Sequence, residues 1–206
     1  MDTPGSDLAR PLAAAVRQRL RAGLAALHDR LDARITAACL SPRADLGRLL
    51  AVHARAFPPV VAGLRAAGAE RVWPGWDGPA RLAALSAELG RFGTAPRAGA
   101  RPPARFGNEA MVWGGLYALL GSRLGNRVIL RRLAEAGEPA DSAFFRPGMD
   151  DGPEWRRFLE RQEAALGRGG ADACRDAIEG AALVMTRYLE AVERLDRAAR
   201  VGEAFY

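Results

Sequence analysis

The chain has 206 residues, nearly half of them hydrophobic, and a formal charge of +6 carried by arginine. That length makes one large domain or two small ones, and the apolar share excludes extended disorder outside the termini. Abundant Ala, Leu and Arg with little Ile, Thr and Tyr favour helix over sheet, and no apolar run approaches the roughly 20 residues of a membrane span.

Residues 1–9 read as a flexible start without the apolar core or cleavage site of a signal peptide. Residues 10 to 39 give a long helical pattern, with Leu12, Val16, Leu20, Leu24, Leu27, Leu31 and Ile35 recurring every three or four positions. "SPRAD" breaks it, Ser41 and Pro42 supplying turn and restart chemistry. A second helix is expected from Leu46 to Ala67, kinked or split at Pro58-Pro59. "GAERVWPGWDGP" reads as a loop, Pro79 to Phe92 as a third helix, and "GTAPRAGARPPARFG" as a linker crossing the surface. A fourth and most apolar helix spans Asn108 to Ala136. After the irregular "AGEPADSAFFRPGMDDGPE", a helix from Pro153 to Leu166 carries Trp155, Phe158 and Leu159 on one side. Gly167 to Gly170 break the chain, and a last helix runs from Ala171 to Ala199 with Ile178, Leu183, Met185, Tyr188 and Leu189 inward. The reading is one all-α multi-helical domain over 10–200, with 201–206 as a tail.

Several chemistries are excluded by simple absence. His28 and His53 are the two histidines, so a histidine-rich metal site is ruled out. No nucleophile elbow, phosphate loop or dinucleotide fingerprint is present, and no repeated Glu-x-x-His pattern for a di-iron bundle. Cys39 and Cys174 fit no metal spacing and read as reduced thiols of a cytoplasmic protein. The arginines are spread over every helix without the aromatic interleaving of a base-stacking surface, so we expect no nucleic-acid partner.

The informative stretch is "GGLYALLGSRLGNRVILRRL", residues 114 to 133. Glycine in a helix interior costs roughly 1 kcal/mol relative to alanine. Gly114, Gly121 and Gly125 fall at spacings of seven and four, on one face. Either another helix packs unusually close, or a flat non-protein ligand lies on bare backbone. His28, at the edge of the Leu20–Leu24–Leu27–Leu31 stripe, reads either as a half-buried histidine bonded to a carbonyl or as the ligand of a metal-containing cofactor. His53 reads as a core-edge or surface residue. Arg157 and Arg161, four apart, share a face; with Arg21 they hold ligand carboxylates or simply form a solvated basic face. Tyr117 and Tyr188 read as core-edge aromatics with hydroxyls at the rim.

Three stretches together resemble the haem oxygenase family, its bacterial branch in particular: "LRAGLAALHDRLD", "GGLYALLGSRLGNRVI" and "SAFFRPGMDDGPEWRRFLE". The resemblance implies a single all-helical domain with haem sandwiched between the first helix and the glycine-bearing one. His28 matches the family's proximal iron ligand. Gly121 and Gly125 match distal glycines whose backbone approaches the haem face. Arg21, Arg157 and Arg161 align with basic positions that hold propionates. Tyr117 and Tyr188 are implied haem contacts, and Ser122, Arg123 or Asn126 is the implied support of a distal water network. The implied reaction is cleavage of haem, both substrate and cofactor, to biliverdin, Fe²⁺ and CO with O₂ and an external electron donor. The implied donor is a ferredoxin or flavoprotein reductase, and the implied role of the enzyme is iron acquisition or supply of the bilin to a phytochrome.

The sequence departs from the family pattern at several points. Ser122 stands where many relatives have Asp, Leu120 where bacterial relatives often have Glu, Asn126 where a second glycine often follows, and Leu24 where Thr is frequent. The competing readings are a non-catalytic haem carrier or sensor on the same fold and a basic nucleic-acid adaptor indifferent to haem.

Overall fold

The computed structural model describes residues 9–40, 45–91, 101–137, 142–146 and 152–203. These residues are helical with irregular connections, as the composition predicts; among them there is no strand, and no helix is long and apolar enough to cross a membrane.

Helix α1 (Ala9–Ile35) buries Val16, Leu20 and Leu24 at four-residue spacing and ends in a π-helical turn, Thr36–Leu40. The predicted restart at Ser41 and Pro42 lies outside the described residues. The residue that caps α2 (Leu46–Ala66) is Asp45, whose carboxylate accepts the Arg48 N–H at 3.0 Å.

Of the two expected outcomes at Pro58 and Pro59, splitting does not occur: α2 runs through both. A helix-interior proline costs about 3 kcal/mol, but Phe57, Val60, Val61 and Leu64 beside the pair are almost fully enclosed, and that burial outweighs the local penalty. The Pro59 carbonyl also accepts a hydrogen bond from Ala104 N at 2.9 Å. The chain before α5 therefore does not simply cross the surface: Ala104 and Phe106 are buried against α2 and α5, and a Cβ at Gly63 would stand 1.9 Å from the Ala104 carbonyl oxygen.

The tryptophan-bearing loop contains a one-turn helix, α3 (Ala69–Val72), and leads into α4 (Gly78–Arg91). The glycine-bearing segment, predicted as one helix, is three pieces: α5 (Glu109–Ser122), a 3₁₀ turn (Arg123–Gly125) and α6 (Asn126–Glu135). Asn108 caps α5, its side-chain oxygen accepting from Met111 N at 2.9 Å and its amide donating to Asp176 at 2.8 Å. The long helix α7 (Gly152–Glu203) bends at Gly170, where φ 65° and ψ −144° demand glycine. The predicted break is thus one residue sharp, and the helix runs on to Gly169 rather than stopping at Leu166.

The packing centres on α7, against which α1, α2 and α5 all lie. Its contact with α5 is made by bare backbone. A Cβ at Gly114 would sit 1.8 Å from the Ala177 carbonyl oxygen, and one at Gly180 would sit 2.1 Å from that of Met111. Gly114 therefore belongs to helix–helix contact. Gly121, still within α5, meets only the Trp155 side chain of α7, at 3.4 Å, and Gly125, in the turn after it, meets nothing within 4 Å.

Gly114→Ala and Gly180→Ala are expected to lower stability by about 1–3 kcal/mol each, since the obstructing atoms are backbone. Gly125→Ala is expected to stay within about 0.5 kcal/mol of the parent. Urea unfolding midpoints of the three variants check the contrast.

Candidate functional site

α1 carries the first of the expected site residues. Arg17 is anchored to α7 by a two-pronged bond to Glu163, at 3.0 and 3.2 Å. Arg21 is exposed one turn later, and His28 follows seven residues on, its side chain 56% exposed. The Asp32 carboxylate lies 3.4 Å from His28 Nδ1, and Asp29 lies at 4.0 Å. A carboxylate there favours the tautomer with its proton on Nδ1, leaving the Nε2 lone pair directed outward. The half-buried, carbonyl-bonded reading of this histidine does not match its exposure.

The expected glycines lie at the break between α5 and α6. A Cβ at Gly121 would touch only the edge of Trp155, at 3.4 Å, and one at Gly125 would meet nothing within 4 Å. Leu124 and Val128, beside Gly125, are 52% and 42% exposed and are the exposed large hydrophobics of the described residues. Gly121, Gly125 and Val128 therefore give an apolar, partly side-chain-free surface. Leu124 and Val128 went unremarked in the sequence reading, because a continuous apolar helix hides which of its faces is uncovered.

Tyr117 lies near both α1 and α7. Its ring is 5.6 Å from that of Trp155, and burial raises its phenol pKa while the charges of Arg21 and Arg17 pull it back. Arg21 of α1 and Tyr117 of α5 thus face the same region, on the side where Trp155 flanks Gly121.

Other predicted site residues are placed differently. Arg157 and Arg161 do not join Arg21. They line a groove of about 430 Å³ with Trp73, Pro74, Gly75, Glu154 and Glu160, the Arg161 guanidinium lying 5.7 Å over the Trp73 ring. The reason is helical phase: at about 100° per residue, Arg157 lies far around α7 from Trp155. Arg156, seven before Glu163, shares the face turned toward Arg17.

Ser122 is exposed, but its hydroxyl donates back to the Leu119 carbonyl at 2.8 Å. Asn126 is buried, with its amide on the Phe145 carbonyl at 2.6 Å, so it fastens α6 to the 142–146 segment instead of facing the glycines. Tyr188 is in the core rather than at a rim, and its hydroxyl bonds His53 Nδ1 at 3.0 Å.

His53 is correspondingly more enclosed than the sequence suggests, with Phe144, Phe145 and Tyr188 rings 4.7, 5.2 and 5.1 Å away. Burial, then the Arg81 charge, lowers its pKa to about 3. The unfolded chain takes up a proton near pH 6.5 that the folded protein refuses, so stability should fall by about 1.4 kcal/mol per pH unit as pH drops from 6.5 toward 3. A His53→Phe variant should lose this component of the slope, which unfolding midpoints between pH 7 and 4 measure.

No family model matches the chain, and no solved structure matches it. It is similar to a protein named heme oxygenase from Xanthomonas campestris pv. campestris (strain 8004), with 36% identity over 119 residues, covering 57% of this chain and 70% of that protein. On that similarity, together with the all-helical fold, the chain belongs to the haem oxygenase family.

Proposed function

We propose that the chain is a haem oxygenase. It takes haem as substrate and opens the macrocycle to biliverdin, releasing Fe²⁺ and CO. O₂ supplies the oxygen atoms, and an external donor, a ferredoxin or a flavoprotein reductase, supplies the electrons. The observation that carries this reading is the surface around Gly125: open space where a Cβ would stand, bordered by exposed Leu124 and Val128. Isolated exposed apolar side chains are common on proteins, but two flanking an uncovered glycine at a helix break fit a flat apolar ligand.

The residues present fit that ligand. His28 Nε2 is the iron ligand on one face, with Asp32 holding the other ring nitrogen and so keeping the imidazole in the coordinating tautomer. Gly121 and Gly125 keep the opposite face clear, so that O₂ has room and the macrocycle edge is approached by backbone rather than by side chains. Leu124 and Val128 exclude water from the ring edge. Arg21, Tyr117 and Arg156 are the polar groups on this side able to meet the propionates; Arg157 and Arg161 lie on another face of α7. Ser122 is the polar side chain nearest the glycine backbone, and rotation away from the Leu119 carbonyl frees its hydroxyl to orient a water. The reaction then serves iron acquisition through the released Fe²⁺, or supplies the bilin to a phytochrome acceptor.

Titration with haemin should give a Soret complex in the wild type that His28→Ala lacks. With reductant and O₂, bilin absorbance should appear at a rate at least about 10–100-fold higher than in that variant. A stable complex that never yields bilin, under donors that reduce it, would instead make the protein a haem carrier. Gly125→Leu should keep the unfolding midpoint of the parent, because the position is open, yet lose bilin formation by occupying the space over the ring. Full activity of that variant would contradict the assignment of this face.

A further inference from the structure

Among the described residues Arg81 is a core cation with no ion-pair partner of its own, the nearby Asp77 being paired with Arg123. It lies in the first turn of α4, 5% exposed, with its guanidinium 4.6 Å from the centre of the Phe144 ring and 5.2 Å from that of Phe57. Its Nε is fully enclosed and has no hydrogen-bond partner. Among the described residues no carboxylate pairs with it. Asp77, the acid immediately before α4, pairs with Arg123. Glu88, two turns along the same helix, is buried and engaged by the Ser142 hydroxyl at 2.8 Å and by Phe144 N at 3.1 Å.

A buried charge with neither a partner nor hydrogen bonds is strongly unfavourable, and ring faces compensate only a small part. The position adds to the cost, because the first turn is the positive end of the α4 dipole. Burial and the charge of Arg123 lower the Arg81 pKa to about 10, so the group stays protonated at neutral pH. Nε is the one Arg81 side-chain nitrogen that is both fully enclosed and unpartnered.

We propose that Arg81 holds a small monovalent anion, a halide or a carboxylate, in a buried site beneath α4. The Arg123–Asp77 pair and the Tyr188 hydroxyl lie close by. A compact single negative charge accepts the fork of guanidinium donors and neutralises the cation without needing the room of a phosphate. Because Arg123 belongs to the 3₁₀ turn between α5 and α6, an anion here also steadies the helix break that carries Gly125.

The test uses the full chain without haemin. Its melting temperature is measured in sodium chloride, bromide, formate, acetate and gluconate at equal ionic strength. A rise of a few degrees over gluconate, saturating with anion concentration, is expected for the anion that binds. Chloride and bromide acting alike would identify a halide site, and formate or acetate acting alone a carboxylate site. Arg81→Met should melt equally in all salts, and Arg81→Lys should keep a weaker saturating rise. Bromide-soaked crystals of the wild type supply a readout that needs no variant, namely an anomalous peak within hydrogen-bond distance of the guanidinium if halide binds. Identical melting in every salt with no such peak would overturn the proposal, as would an anion-specific rise that persists in Arg81→Met.

Discussion

The architecture depends on a contact in which two helices meet with no side chains between them. At Gly114 and Gly180 the backbones of α5 and α7 approach so closely that each glycine faces a carbonyl oxygen of the other helix. Glycine weakens both helices locally, yet it allows an approach that no other residue permits. From this crossing the other placements follow. Trp113 and Phe158 pack ring to ring at 5.5 Å, and Gln162 donates to the Trp113 carbonyl at 3.1 Å. Trp155 is carried to the side of Gly121, and α5 is aimed so that its end projects beyond the contact.

That projection matters because the end of α5 is where regular structure stops. The 3₁₀ turn at Arg123–Gly125 separates α5 from α6, and its Arg123 is buried and paired with Asp77. On the inner side the break is held by polar bonds, Arg123 to Asp77 and Asn126 to the Phe145 carbonyl. On the outer side it offers Gly125, Leu124 and Val128 with little over them. One local irregularity thus anchors the core on one side and exposes an apolar surface on the other. The 142–146 segment supports the anchor: Glu88 holds Phe144 N, and Phe144 and Phe145 close around His53.

The two histidines show how environment separates residues of one type. His28 is exposed beside two carboxylates on α1, available to something outside the protein. His53 is ringed by aromatics and bonded to Tyr188, and its low pKa keeps it uncharged across the physiological range. The sequence treated them nearly alike, since each lies at the margin of a leucine stripe.

Periodicity and composition determined the all-helical class, most helix limits, the burial of Leu20 and Leu24, and the division of α7 near its glycines, because these follow from local spacing and backbone freedom. The order of the three family-like segments determined the family. Tertiary structure decided the rest. Burial of Phe57 and Val60 kept α2 whole through Pro58 and Pro59, against local propensity. Tertiary contacts distinguished Gly114, pressed on the α7 backbone, from Gly121, which meets only the Trp155 side chain, and the break after Ser122 set Gly125 apart from both, although the spacing alone had put all three on one face. Helical phase on α7 sent Arg157 and Arg161 to the Trp73 groove and left Arg156 on the side of Arg17. Spacing along a chain says which residues share a face of a helix. What that face meets depends on how the other helices dock, and that is set by contacts between residues distant in sequence.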